Sequence, residues 1–224
     1  VITVTGSVRD EACRWTLRLE NRAGLAVTSV QFPFLLVRYR LDGTPGTEAL
    51  LRAWGPGALY QAPRPQHLQP DTPQAWRMVP ENMDCTHYPG YTTAQLLAYG
   101  NDRAGFIAWC DDGAGRVKII QPLHRSARHD PDRPVPRSGL DDDPGGIRLG
   151  FAHVGDWPAP GCRTLEYGVR IAPYQGDWHA AAEVYRAWSL GQPWARTPLA
   201  ERTDVPAWLL DSPVHVTIRP QGVL

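Results

Sequence analysis

The chain has 224 residues, 42% of them hydrophobic, which is enough for one large or two small domains with a real core. Its 23 Lys and Arg balance 23 Asp and Glu to a formal net charge of +0. That balance excludes the basic surplus a nucleic-acid or anionic-membrane partner requires, and no stretch approaches the roughly 20 apolar residues of a membrane-spanning helix. Lys118 is the sole lysine, so arginine supplies the remaining basic residues. Cys13, Cys85, Cys110 and Cys162 are widely spaced and form no C-x-x-C pair, which fits buried thiols rather than a zinc site. A disulfide between two of them stays open for an exported chain. No metal or cofactor is expected. Val1 opens directly in strand-like sequence with no signal-peptide pattern, as in a piece of a longer protein.

The first third reads as β-strands. Val1–Thr5 is short and β-branched. Trp15, Leu17 and Leu19 alternate with Thr16, Arg18 and Glu20, the period of a half-buried strand. A turn at Asn21–Gly24 precedes a long apolar run from Leu25 to Arg40. Pro33 interrupts that run and predicts either two strands or one bulged edge strand. Asp42-Gly43 reads as a hairpin turn, and residues 55–75, rich in Pro, Gly and Gln, as irregular chain.

Strand signals resume at Gln95–Tyr99, Gly105–Cys110 and Arg116–Gln121, separated by Asn101-Asp102 and Asp111-Asp112-Gly113. These three predict an antiparallel meander. Residues 122–146 read as a polar loop, followed by strands at Ile147–Val154 and Arg163–Ala172. In the latter, Leu165, Tyr167, Val169 and Ile171 share one face. One helix is predicted. Asp177 is its N-cap, Trp178, Ala181, Ala182, Tyr185 and Trp188 form one apolar stripe, and Gly191 and Pro193 end it. A proline-punctuated tail leads to a last strand at Val214–Ile218.

Two segments carry a resemblance. One is Tyr88-Pro89-Gly90 with Ala94–Tyr99, Gly105–Asp112 and Lys118; the other is Gly176-Asp177-Trp178 through Trp188, with Pro206–Leu209. Together they resemble a bacterial family placed among the glycoside hydrolases. Its members look like a β-supersandwich of the galactose-mutarotase type, then a helical linker, then a (β/α)8 barrel. The resemblance implies a mainly β fold here: a two-sheet antiparallel supersandwich over residues 1–175 and a linker helix and tail over 176–213. The first strand of a truncated barrel would occupy 214–224. It implies no catalytic residue in this chain, because the family's carboxylates sit on the barrel. The expected function is that of a non-catalytic accessory domain of a glycoside hydrolase, with a carbohydrate-binding module and an aldose-epimerase-like enzyme as alternatives, and the expected partners are that downstream barrel and a carbohydrate.

Site candidates follow from residue chemistry. Asp111, Asp112 and Lys118 bracket a hairpin. Taken locally they are turn formers with an exposed cross-strand ion pair; taken with the resemblance, their hairpin reaches toward a sugar site. Trp157, in Gly155-Asp156-Trp157-Pro158, sits in a Pro/Gly-rich turn where an exposed ring would stack on a sugar. Asp141-Asp142-Asp143 reads as a solvated acidic loop, and His124 and His129-Asp130 as exposed loop residues, at a spacing that fits no zinc helix. An aldose-epimerase reading would need a His and Glu pair drawn from His87, His153 and Glu166. Trp178, Tyr185 and Trp188 read as a packing face that docks the helix on the sandwich.

Overall fold

The computed structural model describes residues 1–9, 11–41, 47–55, 57–63, 69–70, 86–90, 92–125 and 145–208. They form a two-sheet β-sandwich with one α-helix. Thirteen strands occur in chain order: β1 (Ile2–Arg9), β2 (Ala12–Asn21), β3 (Val27–Arg38), β4 (Ala49–Trp54), β5 (Ala58–Gln61), β6 (Gln69–Pro70), β7 (Thr86–Tyr88), β8 (Thr92–Gly100), β9 (Ala104–Cys110), β10 (Lys118–Arg125), β11 (Gly146–Trp157), β12 (Gly161–Thr164) and β13 (Val169–Gln175). Helix α1 spans Trp178–Leu190. Among the described residues no helix is long and apolar enough to cross a membrane.

The larger sheet has the order β1-β2-β13-β9-β8-β4-β5, with β12 also pairing with β2. The smaller is β3-β11-β10-β6, with β7 also on β10. The pairings are antiparallel apart from the two-residue match of β6 with β10. Leu17, Leu97, Tyr99, Cys110, Ile120, Leu149, Phe151 and Val169 fill the space between the sheets. Period-2 alternation puts these residues there, because each strand sends every second side chain inward. Tyr99 donates from its hydroxyl to the Tyr39 carbonyl at 2.7 Å, so this buried phenol keeps a partner.

A second apolar layer lies on the outer face of the larger sheet. Leu96, Ala98, Ile107, Trp109 and Ala172 alternate with the inner residues of β8, β9 and β13, and α1 covers them with Ala181, Val184, Tyr185 and Trp188. Asp177 caps the helix, its carboxylate accepting from the His179 amide at 2.9 Å. Ala181, Tyr185 and Trp188 of the predicted stripe therefore form a docking face, whereas Trp178 stacks on the His179 ring at 3.6 Å and is exposed.

Several expectations are corrected. Residues 95–121 do not form a three-stranded meander: β8 and β9 pair, but β10 crosses to the other sheet. The turn after Cys110 redirects the chain inward, and β10 is buried along almost its whole length. His124, expected on an exposed loop, lies in β10 at 1% exposure, its Nδ1 2.6 Å from the Tyr39 hydroxyl. The irregular stretch contains β5, which pairs with β4. β3 runs through Pro33 as one edge strand, with a register shift against β11 beside the proline. Leu165, Tyr167, Val169 and Ile171 all reach the inner core, but the strand breaks into β12 and β13 around them. Asp42-Gly43, His129-Asp130, Asp141–Asp143, Cys85 and Val214–Ile218 lie outside the described residues.

Candidate functional site

The segment that carries Asp111, Asp112 and Lys118, read from sequence as a hairpin, is instead a β9–β10 connection that crosses from the larger sheet to the smaller, and its two adjacent carboxylates take different partners. Asp111, its side chain 8% exposed, turns to β2 and β13. Its carboxylate accepts from Arg14 Nε at 2.5 Å, Arg170 Nε at 3.1 Å and the Gly168 amide at 2.5 Å. Arg14 and Arg170 are directly paired across β2 and β13, so one carboxylate bridges a cross-strand pair of like charges.

Asp112 faces inward, into a buried polar cluster. Its side chain is 1% exposed and that of Lys118 0%. Lys118 Nζ donates to Asp112 Oδ2 at 2.9 Å, Gln95 Oε1 at 2.7 Å and the Arg116 carbonyl at 2.5 Å. Those three acceptors use all three protons of the ammonium. Tyr88 and Tyr167 enclose it, with ring centroids 5.1 and 4.9 Å from Nζ. Asp112 also accepts from the Ala114 amide at 3.1 Å, the Arg116 amide at 2.6 Å and Arg116 Nη1 at 2.8 Å. Gln95 closes the ring through Nε2, which donates to the Asp112 carbonyl at 2.9 Å. Burial alone would raise the Asp112 pKa, but the Lys118 ammonium and the two amides outweigh it, so the carboxyl stays below its usual value. The pair is thus a sealed staple rather than the exposed cross-strand ion pair the local sequence suggests. Its partner Gln95, a polar residue ahead of the apolar run Leu96–Tyr99, was not singled out, and only that contrast marks it.

The staple holds the turn Gly113–Gly115 at the mouth of a cleft of about 420 Å³. Tyr88, Thr93, Tyr185, Ser189 and Trp194 complete its lining. Gln95 ties the walls together, since its backbone amide donates to the Tyr185 hydroxyl at 3.2 Å. Burial, the nearby Asp112 charge and a countering hydrogen bond with Gln95 leave the Tyr88 pKa raised. Burial pushes Tyr185 up to about 12. Trp194 sits in a 3₁₀ turn, Pro193–Ala195, and packs edge-on against Trp188 at 6.2 Å. A Cβ on Gly113 would lie 2.7 Å from Gln192 Oε1, so the Gly113–Gly115 turn and the end of α1 meet closely.

The other candidates are not brought to this cleft. Trp157 closes β11 opposite Val27 and is 5% exposed within the inner core, so no ring face is open for stacking. The Arg163 guanidinium lies over its ring at 5.4 Å. The local Pro/Gly pattern suggested a turn, but β11 extends through it and carries the ring inward. His153 is 0% exposed, with Nδ1 2.7 Å from the Tyr167 hydroxyl and Nε2 2.7 Å from the Phe32 carbonyl. Burial lowers its pKa to about 4. The Glu166 side chain is 66% exposed and pairs with Arg116. His153 and Glu166 are therefore not placed as a paired acid and base, and His87, the third candidate, stands in β7 opposite Ile119 of β10. Cys110 is buried and its thiol pKa is raised by burial, while Cys162 is exposed beside Arg18.

Comparison with known proteins gives sparse matches. Residues 163–223 match the family described as "Domain of unknown function (DUF6259)". No curated protein matches the chain. Among solved structures, an alpha-N-acetylgalactosaminidase, NagBb from Bifidobacterium bifidum, is similar in two forms. The quadruple mutant has a TM-score of 0.45 and 15% identity, over 90% of this chain and 32% of that one. The ligand-free form has a TM-score of 0.41 and 13% identity, over 84% and 30%. The chain thus spans about a third of the length of these structures.

Proposed function

We propose that this chain is a non-catalytic β-sandwich domain of a carbohydrate-active enzyme, packing against a downstream catalytic barrel and lending it a rigid loop. The observation that carries the reading is the closed Asp112–Lys118–Gln95 cluster. A buried ion pair whose hydrogen bonds are all made holds geometry; it does not move protons, because transfer needs a donor or acceptor open to substrate. Here its effect is to fix the Asp112–Arg116 turn at the rim of an accessible cleft. The segments that resemble a glycoside-hydrolase-like family include this connection and α1, the two elements that meet at that rim.

The test is hydrolysis of an aryl-glycoside panel by this chain beside a longer chain that continues past Leu224. The expected outcome is turnover by the longer chain and none above the buffer blank by the 224 residues alone. Turnover by the 224-residue chain would place an acid and base within it and end the accessory reading.

A further inference from the structure

The cleft between the Gly113–Gly115 turn and α1 has a chemistry of its own. Its volume of about 420 Å³ falls within the roughly 300–1,000 Å³ of small-molecule sites. Every described residue lining it is uncharged. A charged ligand entering it would give up hydration with no counter-charge to replace it, and Lys118 is sealed behind Tyr88 with its protons spent.

The lining is amphipathic in a particular way. Tyr88, Tyr185 and Trp194 contribute aromatic surface, and Trp194 is 47% exposed. The two aliphatic hydroxyls are already committed as donors, Thr93 Oγ1 to the Ala53 carbonyl at 3.3 Å and Ser189 Oγ to the Arg186 carbonyl at 2.9 Å. Each therefore offers acceptor lone pairs to a ligand. A matching ligand is neutral, has a flat C–H face for the rings and carries a rim of O–H donors. A pyranose has those features. A purely apolar ligand would leave the hydroxyl acceptors desolvated and unmatched.

We infer that this cleft is a saccharide-binding site for a neutral pyranose, with Trp194 as its stacking platform and the Asp112–Lys118 staple as the device that positions its rim. The inference deepens the carbohydrate-related reading above. The site is preorganised, because Gln95 links the β9–β10 connection, the buried ammonium and the Tyr185 hydroxyl, and rigid walls lower the ordering cost of binding.

Calorimetric titration of the chain with neutral methyl pyranosides, beside glucuronate and glucosamine as charged controls, tests it. The expected result is saturable binding of at least one neutral pyranoside at about 1 mM or tighter, with both charged sugars at least tenfold weaker. Trp194→Ala removes an exposed ring, and Ser189→Phe fills the cleft from the helix. Each should weaken binding at least tenfold while circular dichroism and the melting temperature stay close to those of the parent. Absence of binding to every pyranoside, preference for a charged sugar, or affinity unchanged in both variants would overturn the site. The two readings fail separately. Glycosidase activity of a longer chain with no pyranoside bound here removes the cleft and leaves the accessory domain; pyranoside binding here with an inert longer chain does the reverse.

Discussion

A buried ion pair and a buried histidine set the character of this molecule, and each makes a measurable prediction. Lys118 and Asp112 neutralise each other in a space where an unpaired charge is expensive. Lys118→Met leaves the buried Asp112 carboxylate with the half-exposed Arg116 as its cationic partner among the described residues and should cost about 2–3 kcal/mol in urea unfolding, whereas Asp112→Asn combined with Lys118→Met should recover part of that loss. Equal losses in the single and double variants would mean the pair is not coupled. His153 contributes to the pH response. Its folded pKa is depressed from 6.5 to about 4, so the unfolded chain binds the proton first. Its contribution is present above pH 6.5 and is lost as pH falls toward 4, a total on the order of 3 kcal/mol. Asp112, also depressed, adds its own loss only at more acid pH. Unfolding measured between pH 7 and 4 should therefore be markedly flatter in His153→Gln than in the parent. Local sequence showed that the residues around 111–118 were special but not that they were buried, because burial depends on which sheet β10 joins.

At the scale of elements, legibility tracked periodicity. Helix α1 was readable because its cap, its apolar stripe and its stop are all encoded within a few residues. Asp177→Ala removes the N-cap acceptor of the His179 amide and should cost about 1 kcal/mol, seen as a lower melting temperature with an unchanged fold; no change would mean the helix is held by its packing on β8, β9 and β13 alone. The strands with clean alternation, such as β2, were equally plain. Those missed or misjoined have a physical excuse. β10 is apolar or buried on both faces and shows no alternation. β11 continues past two glycines and draws Trp157 into the core, against a local pattern that favours a turn. The cleft was illegible for a related reason: its walls come from β7, β8, the β9–β10 connection, α1 and the turn at Trp194, which only the fold brings together.

For the whole molecule, the sheet order decides where stability is concentrated. β9 lies between β8 and β13, and Leu97, Ile107 and Val169 on these strands are 0% exposed. β1 is the opposite case. Among the described residues it pairs only with β2 and all eight of its residues are exposed, although Ile2 and Val4 stand opposite the inner-face residues Leu19 and Leu17. Opening β1 breaks one ladder and uncovers little apolar surface, while opening β9 breaks two ladders and both apolar layers at once. Local opening free energies follow such differences in burial and pairing. Native-state hydrogen exchange should therefore show two classes among hydrogen-bonded amides. Those of β1 should exchange through fraying, with weak dependence on urea. Those of Leu97, Ile107 and Val169 should be protected at least about 100-fold more and merge with global unfolding as urea rises. Protection of β1 equal to that of β9 would mean that the sandwich opens as a single unit and that the overhanging edge belongs to the cooperative core.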